Sequence, residues 1–124
     1  MVTVEEVRAL AGSLPRSTEV FVRGRIKFRV GSIVWLAFSR DGTEMGLAFP
    51  KEWRRALVES QSETFRLPTG VDLKYHWVEA RLDALDPEEM REYVLDAWAM
   101  VVPQFVVDEF VAKMEKPHSR GASR

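Results

Sequence analysis

The side chains best suited to chemistry form a run of cations with no acid among them. Between Val20 and Arg40 stand Arg23, Arg25, Lys27, Arg29 and Arg40, five positive charges without an Asp or Glu. Positions 23, 25, 27 and 29 share parity. A strand running regularly across Gly24 would present all four from one face over ~20 Å. Cations spaced in this way suit a phosphate backbone, and aromatic side chains among them suit exposed bases. Trp77 and Arg81, outward on a later strand, and Trp35 on an intervening one can lie near that face. A solvated sheet face guarded by charge explains the same residues with no partner at all. The formal net charge of −1 also lacks the basic excess usual in nucleic-acid binders.

Other chemistry is thinly provided. The chain has no cysteine, which excludes disulfides, thiol nucleophiles and thiolate metal sites. Only His76 and His118 offer imidazoles, too few for the three or four nitrogen and sulfur ligands of an ordinary zinc or iron site. His76, between Tyr75 and Trp77, reads as a partner-bonded edge histidine rather than a general base. No serine stands in a Gly-x-Ser-x-Gly elbow, and the seven glycines are scattered, so neither a phosphate-cradling loop nor a dinucleotide fingerprint exists. Asp83, Asp86, Glu88, Glu89, Glu92 and Asp96, against Arg91, leave a local charge of −5. A hard cation would accept such oxygens, but acids in a first helical turn also complement the helix dipole, and their spacing matches no coordination loop.

The elements that must position these groups follow from patterning. Arg25 to Pro50 reads as three short strands. Ile26, Phe28 and Val30 alternate with the cations, and Gly31-Ser32 and Asp41-Gly42 supply turns. Ile33 to Ser39 is apolar at nearly every position, as in a strand covered on both faces or one whose open face is filled by aromatics. Met45, Leu47 and Phe49 alternate with Gly46 and Ala48, whose small size permits close approach of another element. Ahead of the meander, Thr3 and Glu6 form a capping box for a helix carrying Val7, Leu10, Ala11 and Leu14. Glu19–Val22 is either a further strand or an extended arm.

After the meander, Pro50 opens a second helix whose buried stripe is read as Trp53, Ala56 and Leu57, with Lys51, Glu52, Arg54 and Arg55 in water. Phe65 to Pro68 is a short strand. From Tyr75 to Leu82 alternation returns, with Val78, Ala80 and Leu82 inward and Trp77, Glu79 and Arg81 outward. Asp86-Pro87-Glu88-Glu89 is the clearest helix start in the chain. That helix carries Met90, Val94, Ala97, Trp98 and Val101 on one face, and Pro103 breaks it. Val106, Phe110 and Met114 mark a short C-terminal helix.

At 124 residues, with 46% hydrophobic and 30% charged residues, the chain has the size and composition of one folded domain. Residues 1–116 are expected to form a single α+β domain and 117–124 a flexible tail. Strands in runs separated by single helices predict two layers, an antiparallel sheet with helices on one face, in the order α-βββ-α-ββ-α plus the last helix. No stretch reaches the ~18 consecutive apolar residues of a membrane span. Glu5 and Glu6 stand where a signal peptide would be basic, so a cytoplasmic location is expected.

Several segments together resemble the MmcQ/YjbR family. They are Phe28 to Phe38, Met45-Gly46-Leu47-Ala48-Phe49-Pro50 leading into a helix, His76-Trp77-Val78 with Arg81-Leu82, and the helix from Asp86 to Pro103 containing Asp96-Ala97-Trp98. The similarity spans about Thr3 to Phe110. It implies a compact fold similar to frataxin and to secretion chaperones, and a predicted DNA-binding "double-wing" role. It carries over no active-site residues. Gly31-Ser32 stands where many members have a Gly-Lys turn, so a basic wing-tip contact is not implied there.

The expectation is therefore a protein that binds by a surface, catalyses nothing and takes no cofactor. DNA is the candidate partner, held by Arg23, Arg25, Lys27, Arg29, Arg40, Trp77 and Arg81. The alternative is a protein-interaction module or homodimer formed through the apolar helix around Trp98, Val102 and Phe105.

Overall fold

A computed structural model of the chain describes the backbone of residues 1–123 and the side chains of residues 1–114, so the tail expected over 117–124 lies outside the fully described residues. The chain runs α1 (Val4–Ser13), β1 (Ser17–Val22), β2 (Arg25–Val30), β3 (Ile33–Phe38), β4 (Glu44–Ala48), α2 (Lys51–Ser60), β5 (Phe65–Arg66), β6 (Trp77–Arg81), α3 (Pro87–Ala99) and α4 (Gln104–Ser123). Short 3-10 turns at Gly70–Lys74 and Leu82–Ala84 flank β6. The six strands form one antiparallel sheet in the order β1-β2-β3-β4-β6-β5. The fold is α+β, as the patterning predicts, and Glu19–Val22 belongs to a strand paired with β2 rather than to a loose arm.

Local chemistry sets the element ends. Thr3 Oγ1 accepts from the Glu6 amide at 3.2 Å while the Thr3 amide donates to Glu6 Oε1 at 2.9 Å, which satisfies two orphan donors at the head of α1. Asp86 and Glu89 repeat the arrangement at α3. In the β3–β4 connection Asp41 Oδ1 accepts from Ser39 Oγ at 2.8 Å, Thr43 Oγ1 at 2.7 Å and the Thr43 amide at 3.1 Å. These donors, Thr43 foremost, hold the carboxyl below its ordinary range.

One face of the sheet is the core face. Phe28, Leu36, Leu47 and Val78 lie in register across four strands, with Phe38, Met45, Ala80 and Phe65 in the next row. All eight are buried against Val7 and Ala11 of α1 and Met90, Val94, Ala97 and Trp98 of α3. Burying a side chain of this kind is worth about 1.5–3 kcal/mol, so these two rows and the helices on them supply most of what holds the domain. Tyr93 of α3 packs edge-on against Phe65 at 4.9 Å and at a tilt against Phe49 at 6.4 Å, which draws the start of α2 toward the same layer.

Three expectations need correction. The apolar run in β3 reflects a bulge. Phe28 faces Leu36 but Arg29 faces Val34, so Trp35 is an extra residue and turns inward beside Leu36. Trp35 is fully buried, with its ring 6.3 Å from Phe28, and does not lie on the open face. In α2 only Leu57 of the expected stripe packs against the core. Trp53 is 64% exposed and Ala56 is also exposed, while Arg54 is only 7% exposed because its guanidinium is taken up by backbone carbonyls. Finally, of the three residues read as an apolar interface Trp98 and Val102 are buried, while Phe105 is exposed together with Met100, Val111 and Met114. Trp98 is buried and donates from Nε1 to the Pro15 carbonyl at 2.9 Å, and Val102 and Val106 are buried beside it, leaving Phe105 outside with Arg16 5.5 Å from its ring centre.

Candidate nucleic-acid interface

The face of the sheet away from α1 and α3 carries the charged residues singled out above. One row crosses all six strands: Val20, Lys27, Ala37, Gly46, Glu79 and Arg66. Strict alternation in β2 puts Arg25, Lys27 and Arg29 on this side, opposite Val22, Val20 and Thr18 of β1. Among the described residues no carboxylate lies within ion-pairing distance of these three. Arg25 donates from Nε to the Phe38 carbonyl at 2.9 Å, which fixes its root and directs the guanidinium over the sheet.

Arg23 departs from the expected ridge. The strand does not continue across Gly24. Arg23 (φ 54°) and Gly24 (φ 79°) are the two central residues of the β1–β2 hairpin, and a turn of that hand needs positive φ at both. Arg23 is thus exposed at the turn, not on the strand face, and its carbonyl accepts from Arg40 Nε at 3.0 Å. The structure therefore gathers Arg23 and Arg40 at the tip of the hairpin, with Arg25, Lys27 and Arg29 along its body. Arg81 is apart from them on β6, with β3 and β4 between, and is paired with Asp83 at 3.1 Å.

The β5–β6 side of the face is neutralised from within. Arg66 contacts Glu44 and Glu79, each at 2.7 Å. The Glu44 contact above all holds the Arg66 guanidinium in its charged form. Glu79 is pushed above the ordinary carboxyl range by burial, which outweighs the attraction of Arg66.

Between the two sides the sheet is bare. Ala37, Gly46 and Ala48 present almost nothing above the backbone, and the Trp77 indole covers Gly46, where a Cβ would collide with Nε1, Cε2 and Cζ2 of the ring. The result is a cleft of about 480 Å³ with Arg25 and Lys27 on one wall, Ala37 and Ala48 on its floor and Trp77, Tyr75 and Asp72 on the other wall. That size is within the usual range of ligand pockets, about 300–1,000 Å³. Met100 and Val101, following α3, close one end.

The aromatic wall is held by a residue that patterning alone reads as a solvated helix charge. Arg54 Nη1 donates to the carbonyls of Tyr75 at 2.8 Å and Trp77 at 3.2 Å, and Nη2 donates to that of Leu73. His76 Nδ1 accepts from the Lys51 amide at 2.8 Å, which caps α2 and ties the same segment down. His76 is thus a partner-bonded histidine, as its flanks suggest. The only sequence signal for the clamp is an arginine in a helix with few apolar residues to bury.

A family model described as YjbR matches residues 12–100. The chain belongs to the YjbR family. Its fold is similar to that of the crystal structure of Deinococcus radiodurans protein DR2400, which carries a DUF419 domain, the same family under another name. The TM-score is 0.70 with 22% identity, over 81% of this chain and 78% of that one, a likeness that speaks for the fold alone. No curated protein matches the chain. The YjbR match covers the hairpin, the cleft except Val101, and α3, and stops before α4. Among the described residues of this YjbR-family chain no helix is long and apolar enough to cross a membrane. Nor do three or more His, Cys, Asp or Glu side chains gather where they could hold a metal ion.

Proposed function

We propose that this YjbR-family protein is a cytoplasmic DNA-binding module that holds the phosphate backbone with Arg25, Lys27 and Arg29, aided by Arg23 and Arg40 at the hairpin tip, and that catalyses nothing. The observation that carries this reading is the β2 row of cations with no carboxylate partner among the described residues, beside a face that is otherwise internally paired. Contacts of this kind ignore base identity, so binding is weak and largely independent of sequence. About four phosphate contacts imply that affinity falls roughly 150-fold for a duplex, or roughly 50-fold for a single strand, between about 50 and 200 mM salt. Fluorescence anisotropy with a labelled oligonucleotide across that range measures the slope. No binding at the low-salt end ends the proposal.

A second reading, self-association, has an observation of its own. β1 lies at the edge of the sheet, and Phe21 on it is 73% exposed with Val22 exposed beside it. An edge strand of six residues with no proline is open to further pairing. A second copy joined antiparallel with Thr18 opposite Phe21 would set Glu19 against Val20 and place no like charges together. Sedimentation that finds only monomer at high concentration removes this reading.

A further inference from the structure

We infer that the cleft between β2 and the Arg54-clamped segment takes a single unstacked base of a nucleic-acid strand, so that the preferred ligand is single-stranded rather than duplex. The inference rests on the nucleic-acid reading above and adds to it the ligand's form. The cleft is polarised. Its cations, Arg25 and Lys27, are on the β2 wall, while Trp77, His76, Tyr75 and the acidic Asp72 are on the opposite side. The two walls rise from strands three spacings apart, about 14 Å between backbones and less between side chains. A ligand that fits has an anionic end and a flat apolar end. The Asp72 carboxylate repels the anionic end from the aromatic side, which leaves one orientation.

A nucleotide unit has this shape, with phosphate and base at opposite ends of a sugar. The Trp77 indole is seated against Gly46 and also borders the cleft, so it is held as a platform rather than free to swing. Arg54 fixes the carbonyl of Trp77 itself and that of Tyr75 two residues earlier. A base in a duplex is stacked and paired and cannot enter, whereas a base in a single strand has a free face for an aromatic side chain. Arg23, Arg29 and Arg40 lie outside the cleft and are placed to meet the phosphates of the neighbouring nucleotides.

The test uses the full chain at low salt with three probes: a ten-nucleotide oligothymidine, a duplex of the same length, and thymidine monophosphate. The expected result is that the single strand binds at least tenfold more tightly than the duplex, and that Trp77→Ala lowers single-strand affinity about tenfold to a hundredfold while changing duplex affinity less than twofold. Trp77→Phe restores most of the loss. Should Trp77→Ala fail to fold, Tyr75→Ala at a position 54% exposed gives the same comparison. Indole N–H signals supply an independent readout. Trp77 should shift on adding the oligonucleotide while the exposed Trp53 does not.

Equal or tighter duplex binding with an unmoved Trp77 signal overturns the base site and leaves the phosphate ridge standing. Thymidine monophosphate binding as tightly as the oligonucleotide overturns the commitment to a strand and makes the cleft a free-nucleotide site. No binding of any probe overturns the ridge and the base site together.

Discussion

The open face of this sheet holds arginines in two settings, and the contrast between them shows what makes a surface cation available. On the β5–β6 side Arg66 sits between Glu44 and Glu79, so its charge is consumed by neighbours that the same sheet presents. On the β2 side Arg25, Lys27 and Arg29 stand opposite Val22, Val20 and Thr18 of β1, none of which can neutralise them. Composition does not distinguish the two, since both are runs of outward charged residues on strands. Cross-strand register does, because it decides whether the residue opposite a cation is an acid or an aliphatic group.

The most severe way to break the contrast is to reverse the free side. Arg25→Glu with Lys27→Glu should abolish oligonucleotide binding at low salt, whereas Arg66→Gln should change it less than twofold. Anisotropy on the two variants side by side measures both. Equal losses would show that the whole face acts through its summed charge rather than through the unpaired row.

Next in size is the clamp on the aromatic wall. Arg54→Met keeps the helix and most of the side-chain volume but strands the carbonyls of Leu73, Tyr75 and Trp77. Leaving these part-buried acceptors without the guanidinium should cost about 1–3 kcal/mol, read as a lower urea midpoint. A variant as stable as the parent would mean that water replaces the guanidinium without penalty.

The smallest effect concerns the paired side and is a matter of pH. Burial raises the Glu79 carboxyl above its ordinary value, so the folded chain binds that proton more readily than the unfolded chain. Ionised Glu79 therefore detracts from stability at neutral pH, and the deficit fades as pH falls through its raised range. Glu79→Gln also gives up the contact with Arg66, which limits the gain to about 0.5 kcal/mol at pH 7. Denaturation at pH 7 and pH 4 should show this gain shrinking toward zero. A constant difference between the two would place its origin in packing.

What the residue pattern revealed and what it hid divide along the same line as local and non-local causes. The capping boxes at Thr3 and Asp86, the meander from Arg25 and the in-out alternation of Trp77 to Leu82 depend on residues a few positions apart, and all are plain in the pattern. Arg23 leaves the row because parity does not carry through Gly24, where positive φ at both residues reverses the chain. Trp35 was hidden by a bulge that shows only when β2 and β3 are set side by side. Arg54 and Trp53 exchanged roles because the acceptors that draw Arg54 inward lie about twenty residues further along the chain. Of the candidate site, the cationic row was legible from alternation alone. The cleft beside it was not, since its far wall is a 3-10 turn held by an arginine from another element.

Ala37 and Ala48 lie on the floor of the cleft and Gly46 next to them beneath an indole. Admission to the recess is thus metered by two methyl groups. Exchange of either alanine for a branched side chain would level the sheet, closing the recess while every cation kept its station. The same exchange in other chains of this shape would separate those that grip a threaded strand from those that merely touch one.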